Sequence, residues 1–203
     1  CAVDKPNTLL LGFYVETLGL CRVMMDASML RWILVYLLFF IFTPLIAAQS
    51  DTNLADVRAY LRISDRLGTA GQITESQVLA VKQAGYDVVV NLGPAREERT
   101  PLEGYLVTQQ GMTYVHIPVS WEEPSQRDLQ LFMDVMKANE DRSVFVHCFA
   151  NMRASAFVYL YRTLRLGELD EVARADMAKI WDPASQTQWQ MFIEEAQQAA
   201  EKQ

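Results

Sequence analysis

The sequence has 203 residues, of which 51% are hydrophobic and 21% are charged, and its formal net charge is −7. This composition excludes a largely disordered chain and indicates one globular domain accompanied by a strongly apolar segment. The acidic balance argues against nucleic acid and anionic lipid as partners, because both repel a negatively charged surface.

The apolar segment comes first in the chain. Residues 30–48 are LRWILVYLLFFIFTPLIAA, with one charge at Arg31 and small residues at the end. A basic start, a hydrophobic middle and a small-residue exit are typical of a secretory signal. The run is also close to the roughly 17 residues with which a membrane anchor spans a bilayer. We therefore expect residues 29–48 to be a signal peptide or a membrane anchor, with the following residues exported, in or facing the periplasm.

The domain organisation follows from this segment. Since a signal would begin at Met29, we interpret residues 1–28 as an upstream or mis-started segment, and we expect residues 49–203 to form one domain. Cys1 and Cys21 precede the signal, which leaves Cys148 as the only cysteine of that domain. A lone thiol cannot form an internal disulfide, so Cys148 is either a buried core residue or a reactive group.

From residue 57 onward, predicted strands alternate with capped helices, which is typical of an α/β fold. A capping box at Thr74–Gln77 predicts a helix that ends at Gly85. Thr100, Pro101 and Glu103 predict a second capped helix, which Gly111 ends. The other predicted elements are strands at 87–92, 113–118 and 143–147, a helix capped by Ser125, and helices at 154–166, 169–180 and 185–200. We expect a central, mostly parallel sheet flanked by helices.

The loop after strand 143–147 carries the most distinctive chemistry. Residues 143–155 are SVFVHCFANMRAS. A thiol becomes a good nucleophile when positive potential holds it as a thiolate. The backbone N–H groups of residues 149–152, the start of the next helix and Arg153 would provide that potential and would also bind an oxyanion.

This loop resembles the active-site loop of the cysteine-dependent dual-specificity and tyrosine phosphatases. In that family His precedes Cys, five residues follow, and Arg-Ser or Arg-Thr begins the helix, whereas here four residues separate Cys148 from Arg153. The segments ISDRLGTAGQIT, VVVNL, YVHIPVSWEEPS and NMRASAFVYLYR also resemble a group of bacterial phosphatase-like proteins that share the shortened loop.

The resemblance implies a dual-specificity-phosphatase-like fold and hydrolysis of a phosphomonoester through a phosphocysteine. Cys148 would attack phosphorus, Arg153 would hold the phosphate oxygens and His147 would orient the loop. The substrate-binding residues would be Phe149, Ala150, Asn151, Met152 and Ser155. The substrate would be a phosphorylated small molecule or a phosphoprotein. No cofactor is implied, and no metal, because His116 and His147 lie on separate strands without a ligand cluster.

The shortened loop leaves alternatives open. Arg153 has either moved one position towards Cys148, with Ser155 kept at the helix start, or the loop is truly shorter and the anion site smaller. A loop of Cys, four residues and Arg also resembles rhodanese-type sulfurtransferases, whereas the flanking segments favour phosphate chemistry. A catalytically silent phosphate-binding or interaction domain is the third alternative.

Phosphoester hydrolysis also requires a proton donor. The resemblance implies an acidic residue on a loop about 25 to 32 residues before the cysteine, where SWEEP lies. Glu122 and Glu123 are the candidates, and Glu122 is preferred because Trp121 is expected to shield it from water. Asp128 is assigned to a helix cap. The charged run at residues 96–99 either rims the pocket or is solvated.

Overall fold

Five strands form one sheet in the computed structural model, which describes residues 53–96 and 101–202. They are β1 (Leu61–Arg62), β2 (Leu67–Ala70), β3 (Val88–Asn91), β4 (Thr113–His116) and β5 (Val144–His147). Their order is β1-β2-β5-β3-β4, in which β1 pairs antiparallel with β2 and the other neighbours are parallel. The expected mostly parallel sheet is confirmed.

Six α-helices lie in the same described ranges. They are α1 (Val78–Gln83), α2 (Glu103–Gln109), α3 (Gln126–Ala138), α4 (Met152–Leu164), α5 (Asp170–Ala178) and α6 (Thr187–Glu201). The predicted helix stops after α1, α2 and α4 are confirmed, because Gly85, Gly111 and Gly167 each have a positive φ. The capping box at Thr74 and the Ser125 cap are also present.

Helices cover both faces of the sheet, because its central strands are apolar on both sides. Val88 and Val90 of β3 belong to one core cluster with Phe157 of α4, whereas Val89 belongs to a second cluster with Val81 of α1. Successive side chains of a strand point to opposite faces. A continuous apolar run such as VVV therefore indicates a strand buried between two helical layers.

The start of α2 differs from the prediction. The helix begins at Glu103, with Leu102 at its N-cap and without a side-chain cap. The sequence predicts that Glu103 helps to cap this helix, but its carboxylate is buried and accepts hydrogen bonds from side chains of three strands. Local pattern alone could not show this, since the partners are distant in sequence.

The predicted signal or anchor at residues 29–48, like the segment 1–28, lies outside the described residues. Within residues 53–96 and 101–202, none of the helices combines the length and the apolar character needed to cross a bilayer.

Candidate active site

A cavity of about 610 Å³ lies beyond the carboxyl ends of β3, β4 and β5. Six predicted site residues line it: Glu122, Cys148, Phe149, Ala150, Met152 and Arg153. Its other lining residues are Pro94, Arg96, Pro118, Ser120 and Trp121. Parallel α/β sheets bind their ligands at this edge, because the loops that follow the strands converge there.

Cys148 directly follows β5 and is 1% exposed. Its backbone N–H donates to the carbonyl of Ala70 at 3.2 Å, which continues the pairing of β5 with β2. Met152, the first residue of α4, lines the same cavity. The positive end of the helix dipole therefore lies in the cavity wall, where it favours an anion such as a thiolate or a phosphate.

The shortened loop closes through a left-handed residue. Asn151 has φ 64° and ψ 0°, and its Nδ2 donates to the carbonyl of Ala59 at 2.7 Å and to Thr69 Oγ1 at 3.0 Å. The side chain is fully buried and does not line the cavity. Asn151 thus allows the chain to turn sharply into α4, which explains how four residues suffice between Cys148 and Arg153.

Gly71 and Gln72 support this loop from the end of β2. The N–H of Gln72 donates to the carbonyl of Phe149 at 3.1 Å, and Gly71 forms a bridge with Ala150. A Cβ atom at Gly71 would lie 3.0 Å from the Phe149 oxygen, so the close approach of the two segments requires glycine.

Substitutions at Asn151 separate its two contributions to stability, which are its side-chain hydrogen bonds and its left-handed backbone conformation. Asn151→Gly keeps the backbone conformation but loses both side-chain hydrogen bonds, and we expect it to lower the free energy of unfolding by about 2–3 kcal/mol. Asn151→Ala loses the same hydrogen bonds, and it should lose about 1 kcal/mol more than the glycine variant, because alanine has a Cβ atom but no polar group that favours the left-handed conformation. Urea unfolding of both variants measures the difference. Equal losses in the two variants would show that the left-handed backbone carries no cost.

Arg153 lies in the first turn of α4 and is 9% exposed. Its guanidinium carbon lies 5.2 Å from the centroid of the Trp121 ring, within the range of a cation–π contact. Arg153 therefore lies against the wall formed by Trp121, in the cavity that Cys148 also lines.

Ser155 lies two residues after Arg153 on the same helix and does not line the cavity. Its hydroxyl donates to the carbonyl of Met152 at 3.1 Å and accepts from Trp181 Nε1 at 3.1 Å. These contacts assign Ser155 to the attachment of Trp181 to α4. A role for Ser155 in substrate binding stays a prediction.

The loop with the candidate acids is attached to the carboxyl-terminal helix. Trp121 packs against Trp181 and Trp189, with ring centroids 5.5 and 5.2 Å away, and Trp189 Nε1 donates to the Trp121 carbonyl at 3.0 Å. Glu122 lines the cavity but is exposed, so the expected shielding by Trp121 is wrong: the half-buried indole packs against Trp181 and Trp189 and leaves Glu122 open to solvent. Glu123 is exposed and does not line the cavity, which makes Glu122 the better placed of the two.

In the charged run at residues 96–99, the structure describes Arg96, which lines the cavity. Residues 97–99 lie outside the described ranges.

Sequence reasoning missed a buried polar cluster behind the cysteine loop. Glu103 Oε1 accepts from His147 Nε2 at 2.9 Å, from the Tyr114 hydroxyl at 3.0 Å and from Asn91 Nδ2 at 3.0 Å, and Glu103 Oε2 accepts from Gln72 Nε2. Burial by itself would raise the pKa of Glu103, but the charge and hydrogen bond of His147, together with the Tyr114 and Gln72 hydrogen bonds, lower it below its ordinary value of 4.5. Glu103 is therefore an ionised carboxylate inside the protein.

The sequence contains a signal that Glu103 is buried. Glu103 stands four positions before Val107, which is buried, so the two share the inward face of α2. An acidic residue on the apolar face of a short helix indicates a buried polar partner.

Comparisons with known proteins place this geometry in a family. Residues 49–200 match the family described as "DSP-PTPase phosphatase fused to NAD+ Kinase". A crystal structure of a phosphatase-like protein (DUF442) from Shewanella putrefaciens CN-32 is 41% identical, with a TM-score of 0.65, and the match covers 70% of this chain and 91% of that chain.

More distant structures share the fold. TpbA of P. aeruginosa is 14% identical with a TM-score of 0.55, over 66% of this chain and 83% of its own. The kinase associated phosphatase KAP is 14% identical with a TM-score of 0.56, over 68% and 88%. No match was found among curated proteins. The family match and the 41% identity confirm the resemblance carried by VHCFANMRAS, and the chain belongs to the family of dual-specificity and tyrosine phosphatase-like hydrolases.

Proposed function

We propose that this protein is an exported cysteine-dependent phosphatase that hydrolyses a phosphomonoester through a phosphocysteine intermediate. One observation carries the proposal: Cys148 and Arg153 line one cavity at the amino terminus of α4. Nucleophile and anion-binding groups thus face the same space, which aligns the attacking sulfur with the phosphorus.

In the first step the Cys148 thiolate attacks phosphorus and forms an S–P bond. The bond from phosphorus to the ester oxygen breaks, and Glu122 gives its proton to that oxygen, so the alcohol or phenol leaves neutral. Arg153 and the helix amino terminus stabilise the charge on the remaining phosphate oxygens.

In the second step water attacks phosphorus and the S–P bond breaks. Glu122, now a carboxylate, accepts a proton from the water. Inorganic phosphate leaves, and the thiolate and the protonated acid are restored. Both half-reactions therefore use the same residues and need no other reactant.

The substrate class is proposed as a phosphorylated small molecule or phosphoprotein. A structure of TpbA holds phosphotyrosine, which makes an aryl phosphate a suitable first probe. The walls formed by Pro94, Pro118, Trp121 and Phe149 offer apolar surface to an aryl group.

Export is proposed from residues 29–48 alone. We expect the protein in the periplasmic fraction, with a mature chain that begins near residue 49 if the signal is cleaved. Recovery of the protein in the cytoplasm with the apolar segment intact would contradict this part of the proposal.

A paired assay tests the reaction. We expect the protein to release phosphate from p-nitrophenyl phosphate and to form no thiocyanate from thiosulfate and cyanide. Thiocyanate without phosphate release would instead establish the rhodanese-like reaction. Inactivity in both assays, with phosphate still raising the melting temperature, would establish a silent binding domain.

The role of Glu122 has its own expected result. Glu122→Gln should lower kcat by about 10²-fold for an alkyl phosphate and less for p-nitrophenyl phosphate, whose leaving group needs less protonation. Steady-state kinetics with the two substrates measures both effects.

Glu123→Gln is the matched control, because Glu123 is the adjacent exposed carboxylate and does not line the cavity. It should stay within about twofold of the wild type, as surface changes usually do. Full turnover of Glu122→Gln at every pH would place the acid elsewhere.

A further inference from the structure

We propose that Glu103 is the positioning residue of the cysteine loop, since its carboxylate links the two segments that hold Cys148 and Phe149 in place. The inference rests on the proposed function, because it assigns a role toward the same nucleophile. It goes beyond that function by naming a residue that does not line the cavity with Cys148.

The first observation is that hydrogen-bond donors from several strands meet at the Glu103 carboxylate. Glu103 is 3% exposed, and its hydrogen-bond donors come from the whole parallel part of the sheet. His147 ends β5, Asn91 ends β3, Tyr114 lies in β4, and Gln72 follows β2. One carboxylate from α2 thus ties together four strands at the edge where the cavity lies.

The second observation is that two of these donors lead directly to the nucleophile. His147 is the residue before Cys148. Gln72 binds Glu103 with its side chain and the Phe149 carbonyl with its backbone N–H, at 3.1 Å. The loop is therefore held on both sides of the Cys148–Phe149 peptide by groups that Glu103 orients.

Asn91 adds a third support. Its Oδ1 accepts from the N–H of Gly93 at 2.7 Å, while its Nδ2 donates to Glu103. A Cβ atom at Gly93 would lie 3.9 Å from the Cys148 Cα, so this turn packs beside the nucleophile.

The charge state of the cluster follows from its donors and acceptors. An ionised carboxylate only accepts hydrogen bonds, so the proton on the His147 ring lies on Nε2, which faces Glu103. The ionisable groups that contact Glu103 are His147 and Tyr114, whereas Asn91 and Gln72 are neutral.

A purely structural role is the competing explanation. A buried ionic pair contributes little net stability, because desolvation offsets the attraction. Removing only the carboxylate, however, would leave its four hydrogen-bond donors without that acceptor and destabilise the fold. The test therefore measures the reactivity of Cys148 in folded variants, which a purely structural role would not change.

The test uses the full-length protein with Glu103→Gln, Glu103→Asp and Tyr114→Phe. Glu168→Gln is the matched control: Glu168 also accepts two hydrogen bonds from a basic side chain, that of Arg162, but lies at the far end of α4. Two quantities are measured against pH: kcat/KM with p-nitrophenyl phosphate, and the rate at which iodoacetamide alkylates Cys148. Mass spectrometry of the Cys148 peptide separates this thiol from Cys1 and Cys21.

We expect Glu103→Gln to lower kcat/KM by about 100-fold, as small displacements of a reacting group do. The pH midpoint of Cys148 alkylation should also move, because the contacts that fix the loop around the thiol are weakened. Glu103→Asp keeps the charge and should recover part of both effects. Tyr114→Phe removes one donor and should show a smaller change of kcat/KM, and Glu168→Gln should match the wild type.

A folded Glu103→Gln protein with wild-type kcat/KM and an unchanged alkylation midpoint would overturn the inference. If Glu103→Gln does not fold, the Tyr114→Phe variant tests the inference in its place. Wild-type kcat/KM and a wild-type alkylation midpoint in Tyr114→Phe would then overturn it. If the wild type releases no phosphate, the proposed function fails instead. The alkylation midpoint then still decides the role of Glu103.

Discussion

Cys148→Ser is expected to abolish phosphate release, with a loss of about 10⁴-fold or more in kcat, while the protein keeps its fold and its anion site. A serine hydroxyl is nearly isosteric with the thiol but stays protonated at neutral pH, so no nucleophile remains for the first step. Removal of a nucleophile from other hydrolases costs up to about 10⁶-fold. The release of phosphate from p-nitrophenyl phosphate measures the loss.

The same variant should still bind a phosphate analogue. Arg153 and the amino terminus of α4 remain in the cavity wall. Tungstate at about 100 times its Kd should stabilise the variant by about 2.7 kcal/mol, which raises the melting temperature by roughly 5–10 °C. Loss of this shift would mean that the substitution has damaged the anion site itself.

Appreciable phosphate release by Cys148→Ser would show that the reaction does not pass through a phosphocysteine, and the mechanism proposed here would be wrong.

Arg153→Lys is expected to lower kcat/KM by about 10²- to 10³-fold, although the charge is kept. A guanidinium binds two phosphate oxygens with parallel N–H groups, whereas an ammonium binds as a point charge. Lysine also loses the contact of the guanidinium with the Trp121 ring, which lies in the cavity wall. Steady-state kinetics with p-nitrophenyl phosphate gives the effect on kcat and KM separately.

Arg165→Lys is the matched control, since Arg165 follows the same helix at its other end and hydrogen-bonds Gln130. Its activity should be unchanged. If Arg153→Lys also retains wild-type kcat/KM, the arginine does not contact the phosphate, and the shortened loop has displaced it from the role that the family resemblance implies.

Much of the fold could be predicted because its signals are local. The Thr74 capping box, the VVV run of β3 and the glycines after three helices each act within a few residues. The position of Cys148 between a strand and a helix could be predicted for the same reason. The position of Arg153 at the start of that helix could be predicted as well.

Several features of the candidate site depend on contacts between distant residues. The inward packing of Trp121 depends on Trp181 and Trp189. The hydroxyl of Ser155 is engaged by Trp181, which no spacing around the cysteine indicates. Such side chains can take several directions on the same backbone, and only their tertiary partners select one.

An α/β domain with one cysteine placed for anion chemistry can be predicted from short segments, because hydrophobic periodicity, helix caps and the Cys-to-Arg spacing are local properties. The position of Glu103 behind that cysteine, joined to the ends of β3 and β5, becomes visible in the folded protein alone. Burying a carboxylate requires several donors at once. Those donors come from strands that are adjacent in the sheet but far apart in the chain.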